Sequence, residues 1–226
     1  MNIKHIFFDL DHTLWDFESN SKNTFEHIFK DKQIGVEIED FSLCYKPINQ
    51  KYWKLFREDK VSKEKLRYGR LKETFEVLDY AIDDDLINVL AEKYIENLSN
   101  FNKLFSGTID ILNYLKPKYN MHIITNGFEE VQHRKLENSS ILPYFKHIIS
   151  SEKVGAKKPN PKIFHYALEI ANAMSEESIM IGDNFEADIL GARSVGMHTI
   201  FCNFDKESVP DNEKSISRLD QLKNHL

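Results

Sequence analysis

The sequence predicts an α/β protein built on a doubly wound parallel sheet, with an all-helical domain inserted after the first strand. Three observations carry this reading. Short apolar runs rich in Ile and Phe alternate with helical patterns over much of the chain. The alternation lapses once, over roughly 110 residues after the first run, although a strand-helix-strand crossover needs only about 30. That surplus itself reads as helix.

The elements follow in order. Residues 3–8 end in Ile6-Phe7-Phe8 and form the first strand. Helical patterns then cover 21–32, 41–56, 63–78 and 85–97, with Ser21 and Ser62 as N-caps. Residues 107–119 carry Ile109, Ile111, Leu112 and Leu115 at helical spacing and lead into the second strand, 122–125. A helix at 129–138 precedes the third strand, 147–150. The helix at 161–171 starts on Pro161, as suits a first helical position. The fourth strand is 178–181; the helix at 186–195 stops at Gly196, and the fifth strand is 198–201. The domains are therefore 1–15 with 99–226 for the sheet and 16–98 for the helical insertion. That insertion leaves the loop just after Asp11, so it is expected over the carboxyl ends of the strands, where open α/β sheets bind ligands and a lid excludes water.

Bulk properties narrow the function. The chain has 226 residues, 41% hydrophobic and 29% charged, with a formal net charge of -6. That charge argues against attraction to nucleic acid polymers or anionic lipid. No apolar run approaches the roughly 20 residues of a membrane span, and polar residues interrupt the amino terminus before a signal-peptide core can form. Cys44 and Cys202 show no disulfide framework or metal-ligand spacing and read as buried thiols of a cytoplasmic protein. The nine histidines show no zinc spacing. A monomer or small homo-oligomer is expected.

Asp9-Leu10-Asp11-His12-Thr13 directly follows the first strand. Two carboxylates there are costly unless a cation binds them, and a divalent metal with a phosphate beside it removes the cost. Asp9 is the candidate nucleophile, attacking phosphorus to form an aspartyl-phosphate. Asp11 is the candidate acid and base, giving a proton to the leaving alcohol and taking one from water; its backbone carbonyl is a further metal ligand. Thr125, with the amides around Asn126 and Gly127, follows the second strand and suits phosphate oxygens, though Asn-Gly is also an ordinary turn. Lys158, before Pro159, supplies a cation to phosphate and to Asp9. Asp183 follows Ile179-Met180-Ile181-Gly182 and is the second direct ligand of a hard cation, Mg2+. Asp188, in the next helical turn, either holds metal-bound water and orients Lys158 or simply complements the helix dipole. Parallel strands bring these groups to one edge of the sheet.

The motif set Asp9-Leu10-Asp11-His12-Thr13, Thr125, Lys158 and Gly182-Asp183 through Asp188 resembles the haloacid dehalogenase-like hydrolase superfamily over nearly the whole chain. The resemblance implies a Rossmann-like core with a helical cap, Asp9 as nucleophile and Asp11 as acid and base. It further implies Mg2+ on Asp9, the Asp11 carbonyl and Asp183, and phosphate on Thr125 and Lys158. The segments 123–128, 142–145, 150–155 and 158–164 resemble more closely the pyrimidine 5'-nucleotidase subgroup, which implies a small phosphorylated metabolite, a nucleoside monophosphate, as substrate. His12 and Trp15 lie close to the catalytic loop; Trp15 and, in the cap, Trp53 are candidates for substrate selection. Tyr52, Phe56, Arg67 and Tyr68 are further cap residues able to stack on a base or meet a phosphate. The rival readings are a sugar-phosphate phosphatase, a phosphomutase, a dehalogenase (disfavoured by Asp11, whose role is to protonate an alcohol) and a non-catalytic phosphate-binding module.

Overall fold

Apolar runs too short for helices pair into one sheet: β1 (His5–Phe8), β2 (Asn120–Thr125), β3 (His147–Ser150), β4 (Ser178–Gly182), β5 (His198–Cys202) and β6 (Ser215–Ile216). Their spatial order is β3-β2-β1-β4-β5-β6 and every pair is parallel. The computed structural model describes residues 2–206, 208, 210 and 212–226. β1 is buried along its whole length, as is β4, which is why both read as continuous apolar runs rather than alternating ones. The chain winds outward from β1 to β3 on one side, then returns to β4 and winds outward on the other. The winding reverses beside β1, and open α/β sheets bind ligands at the carboxyl ends of the strands flanking such a reversal.

The helices are α1 (Phe17–Lys32), α2 (Ile38–Arg57), α3 (Lys63–Val77), α4 (Asp84–Asn97), α5 (Thr108–Leu115), α6 (Glu129–Asn138), α7 (Ser151–Val154), α8 (Pro161–Ala171) and α9 (Gly191–Arg193). The chain divides into two compact units, Met1–Phe17 with Asn102–Leu226, and Glu18–Phe101. The first holds the sheet. On one face of it Phe7, Ile124, Ile149 and Met180 pack against Ile163, Phe164, Ala167 and Leu168 of α8. α8 is well bounded: the Asn160 side chain accepts from the Lys162 amide at 3.0 Å, Pro161 opens the helix, and Asn172 closes it in a left-handed conformation.

The second unit is all helix. Ser62 caps α3 by accepting from the Lys65 amide at 3.2 Å, and Asp83 caps α4 by accepting from the Leu86 amide at 2.7 Å. Its core is aromatic: Phe25, Phe29, Phe41, Tyr45, Phe75 and Tyr94 are buried, with Phe25 stacked on Tyr94 at 4.4 Å between centroids.

Several details depart from expectation. β1 starts at His5 rather than at residue 3. Ser21 is no N-cap; α1 begins a turn earlier, and Ser21 is buried inside it, where its hydroxyl accepts from the Tyr94 hydroxyl at 2.9 Å. Ile109 is exposed, so α5 buries only Ile111, Leu112 and Leu115 of its apolar set. The segment expected as a helix over 186–195 is a widened π turn, Phe185–Leu190, running into the short α9. β6, two residues long, gave no pattern to read. Cys202 is buried as expected but Cys44 is only partly so, and both are free. No helix among the described residues is long and apolar enough to cross a membrane.

His5, His122 and His147 stack across β1, β2 and β3, with centroids 5.5 and 5.3 Å apart, near the amino ends of those strands. Burial, then the neighbouring His5 and His147 rings, pushes His122 down to about 3, so it is neutral inside the fold.

Candidate active site

Asp9 sits one residue beyond β1, its amide donating to the Ile181 carbonyl at 2.9 Å, which ties the ends of β1 and β4 together. Leu14 and Trp15 both return amides to the Leu10 carbonyl, at 3.0 and 2.9 Å, so residues 10–15 fold into a tight turn. His12 occupies that turn at φ 63°, a left-handed conformation. Its backbone, rather than its ring alone, shapes this turn.

Lys158 is fully buried and reaches three oxygens: Asp9 Oδ1 at 2.6 Å, Asp188 Oδ1 at 2.7 Å and the Ile124 carbonyl at 2.7 Å. Its segment is fixed by Asn126, whose Oδ1 accepts from the Lys158 amide at 2.8 Å while its Nδ2 donates to the Lys158 carbonyl at 3.0 Å. Burial disfavours the ammonium, but Asp188 and Asp9 more than offset this and hold Lys158 protonated.

Asp183 and Asp188 come from the turn after β4. Asn184 Oδ1 accepts from the Ala187 amide at 2.8 Å, and Asp188 Oδ2 accepts from the Asn184 amide at 3.0 Å. The wide π turn brings Asp188 back over Gly182: a Cβ there would stand 2.3 Å from Asp188 Oδ2. The buried Thr13 hydroxyl donates to Asp183 Oδ1 at 3.1 Å.

Carboxylate oxygens of Asp9, Asp183 and Asp188 lie within 4.8 Å of one another. Lys158 is the cation that pairs with this group, through Asp9 and Asp188, so with all three carboxyls ionised three negative charges would face one positive charge. Burial first, then Asp188 and Asp183, holds Asp9 well above the ordinary carboxylate range. Burial and then Asp188 push Asp183 up to about 8. Two uncompensated charges, an all-oxygen donor set and carboxyls that resist ionising alone fit a hard divalent cation.

Asp11 is held differently. Lys135 Nζ meets its Oδ1 at 2.6 Å and Gln132 Nε2 donates to its Oδ2 at 3.0 Å. The same Gln132 nitrogen donates to Thr125 Oγ1 at 2.7 Å, and the Gly127 amide donates there at 3.0 Å. A hydroxyl oxygen has two lone pairs, so with both engaged the Thr125 proton is aimed outward as a donor. The Gly127 amide and the Asn126 side chain thus build the loop instead of facing a ligand. Gly127 is required by space, because a Cβ would stand 2.5 Å from the Gln132 amide.

The structure therefore gathers Asp9, Asp11, Thr125, Asn126, Gly127, Lys158, Asp183 and Asp188 at the carboxyl ends of β1, β2 and β4. Trp15 departs from its expected place beside substrate: it is fully buried, with the Lys135 ammonium 4.2 Å from its ring centre. Trp53 lies partly buried on α2 of the helical unit, edge-on to Phe56 at 5.6 Å. Gln132 and Lys135 escaped the sequence reading, and Thr13 was named in its motif without a role. Their signal was faint: two polar residues three apart on the helix after the second strand, and a threonine two positions past Asp11.

Comparison with known proteins bears on the family and the fold. A family model described as haloacid dehalogenase-like hydrolase matches residues 6–202. The chain is 32% identical over 224 residues to the pyrimidine 5'-nucleotidase YjjG of Escherichia coli, covering 96% of each chain. It is 32% identical over 221 residues to the glyceraldehyde 3-phosphate phosphatase of Pyrococcus furiosus, covering 93% of this chain and 85% of that one. The crystal structure of the HAD-hydrolase YfnB from Bacillus subtilis bound to magnesium superposes with a TM-score of 0.90 at 30% identity, covering 100% of this chain and 99% of the other.

Proposed function

This chain belongs to the haloacid dehalogenase-like hydrolases, and from that premise we propose that it is a Mg2+-dependent phosphomonoesterase working through an aspartyl-phosphate on Asp9. The observation that carries the reading is the Asp9 carboxylate, held at 2.6 Å by Lys158 and grouped with Asp183 and Asp188 within 4.8 Å. Asp9 and Asp183, with the Asp11 carbonyl, would hold the metal, which supplies charge neutralisation for the carboxylates and the phosphate.

The protein's own groups supply the rest. Thr125 donates its hydroxyl to a phosphate oxygen, and Lys158 adds a fixed positive charge beside Asp9. An Asp9 oxygen attacks phosphorus; as the ester P–O bond breaks, Asp11 gives its proton to the departing alcohol. Asp11, now ionised, takes a proton from water, whose oxygen attacks the phospho-aspartate and frees phosphate and Asp9. Asp188 lends Lys158 its orientation through the 2.7 Å contact.

The substrate class in this reading is a nucleoside 5'-monophosphate, pyrimidine or non-canonical, and the pyrimidine 5'-nucleotidase relative supports the pyrimidine form. The glyceraldehyde 3-phosphate phosphatase relative supports a sugar phosphate as the second reading. A screen of phosphate release over nucleoside monophosphates and sugar phosphates with Mg2+ separates them. The expected result is highest kcat/KM on a pyrimidine monophosphate. Preference for a triose phosphate would overturn the substrate class, and no release from any ester would overturn the reaction.

A further inference from the structure

We propose that Gln132 and Lys135 are positioning residues for the acid step, a two-pronged clamp on α6 that fixes the Asp11 carboxylate relative to the phosphate-binding Thr125. The inference rests on the phosphomonoesterase reading and adds to it the part of the machinery that aims the proton.

The clamp is a property of one helix face. Residues three apart on a helix lie side by side, and here each takes one Asp11 oxygen: Lys135 takes Oδ1 at 2.6 Å and Gln132 takes Oδ2 at 3.0 Å. With both oxygens engaged, the carboxylate plane is set rather than free to rotate. Each oxygen keeps a second lone pair, so the proton-carrying site remains. Gln132 also binds Thr125 Oγ1 at 2.7 Å through the same nitrogen. One amide thus spans the group that holds phosphate and the group that delivers a proton to the ester oxygen beside it. The amide orientation is settled by chemistry, since its carbonyl would face the Asp11 carboxylate if turned over.

Burial shows that Lys135 is no solvated surface lysine. It is 2% exposed, with its ammonium 4.2 Å from the Trp15 ring centre and 5.4 Å from that of Phe17. A cation so enclosed between two rings and a carboxylate holds one position, and therefore holds Asp11 in one position. Gln132 is equally enclosed, at 1% exposure.

In the step concerned, the Asp9–phosphorus bond forms, the phosphorus–alkoxide bond breaks, and the Asp11 proton moves to the alkoxide oxygen. An alkyl ester needs that proton; an aryl ester departs as a stable phenolate without it. Rapid-quench formation of the phosphoenzyme from UMP and glycerol 2-phosphate, compared with p-nitrophenyl phosphate, isolates this difference. General acids contribute about 100- to 10,000-fold, so misplacing Asp11 in Lys135→Met is expected to slow the alkyl esters on the order of 10- to 100-fold. The aryl ester should slow no more than about threefold, and KM should hold on all three. Lys135→Arg should recover part of the alkyl rate. Gln132→Met, which leaves Lys135 in place, also releases Thr125, so all three esters should slow by a common factor with the alkyl esters slowing several-fold further; it serves if Lys135→Met does not fold. Equal slowing of alkyl and aryl esters, or no slowing of either, would overturn the clamp. Wild-type protein that forms no phosphoenzyme from any of the three would overturn the phosphatase reading, and the clamp with it.

Discussion

Consider the protein stripped of divalent metal and moved from pH 6.5 to pH 8. Asp183 is pushed up to about 8 by burial and by Asp188, whereas its unfolded value is near 3.8. Over this interval the folded chain still binds that proton and the unfolded chain does not, so stability falls as pH rises. His122 has the opposite sign, but its values of about 3 folded and 6.5 unfolded confine its effect below this interval. One proton over 1.5 pH units amounts to about 2 kcal/mol at about 1.4 kcal/mol per unit. Asp183 is only partly buried by surface area, and solvent screening brings the expected loss to about 1–2 kcal/mol. For a chain of this size that lowers the midpoint by roughly 2–8 °C. Mg2+ at about 100 times its Kd restores about 2.7 kcal/mol at pH 8. Asp183→Asn should flatten the metal-free slope and lose most of the Mg2+ gain. Scanning calorimetry of both proteins, with chelator and with Mg2+, measures all four quantities. A flat wild-type slope together with an undiminished Mg2+ gain in Asp183→Asn would refute the charge argument.

Three further outcomes follow from the same geometry. Asp9→Asn should keep the fold and lose at least about a thousandfold in phosphate release; turnover within tenfold of wild type would remove Asp9 as nucleophile. Lys158→Met leaves buried Asp9 and Asp188 unpaired, and urea titration of the metal-free protein should show a loss of about 3–5 kcal/mol. On the acid side, His122→Phe should lessen the loss of stability between about pH 6.5 and 4, because the unfolded chain then lacks an imidazole that takes up a proton the buried ring does not; unchanged acid unfolding would argue against the histidine stack as its source.

How much could be read in advance depended on what kind of signal each part leaves. β1 and β4 announce themselves because strands buried on both faces are unbroken apolar runs, and the first residues past them, Asp9 and Asp183, inherit their address from that pattern. Lys158 was legible through its place before Pro159 after the third strand, and Asp9 and Asp188 were legible as its partners, but the Ile124 carbonyl was not, since a backbone oxygen leaves no mark in the residue types. Gln132 and Lys135 stayed hidden for another reason. On a helix, polar residues three apart look like a solvated face, and only the pitch of α6 against the Asp11 turn turns that face inward. Trp15 invited a role beside substrate because of its neighbours in sequence; the turn that returns two amides to Leu10 carries its ring inward instead. The π turn after β4 defeats periodicity altogether, because its rotation per residue matches neither helix nor strand.

The buried Lys158 ammonium bonds at once to a side chain following β1, a carbonyl within β2 and a side chain following β4. Those contributors are distant along the chain and become neighbours only after the central strands have docked in register. Loss of either central pairing would therefore part the ammonium from at least one of its oxygens. The candidate site accordingly shares the integrity of the middle of the sheet and not that of any single loop.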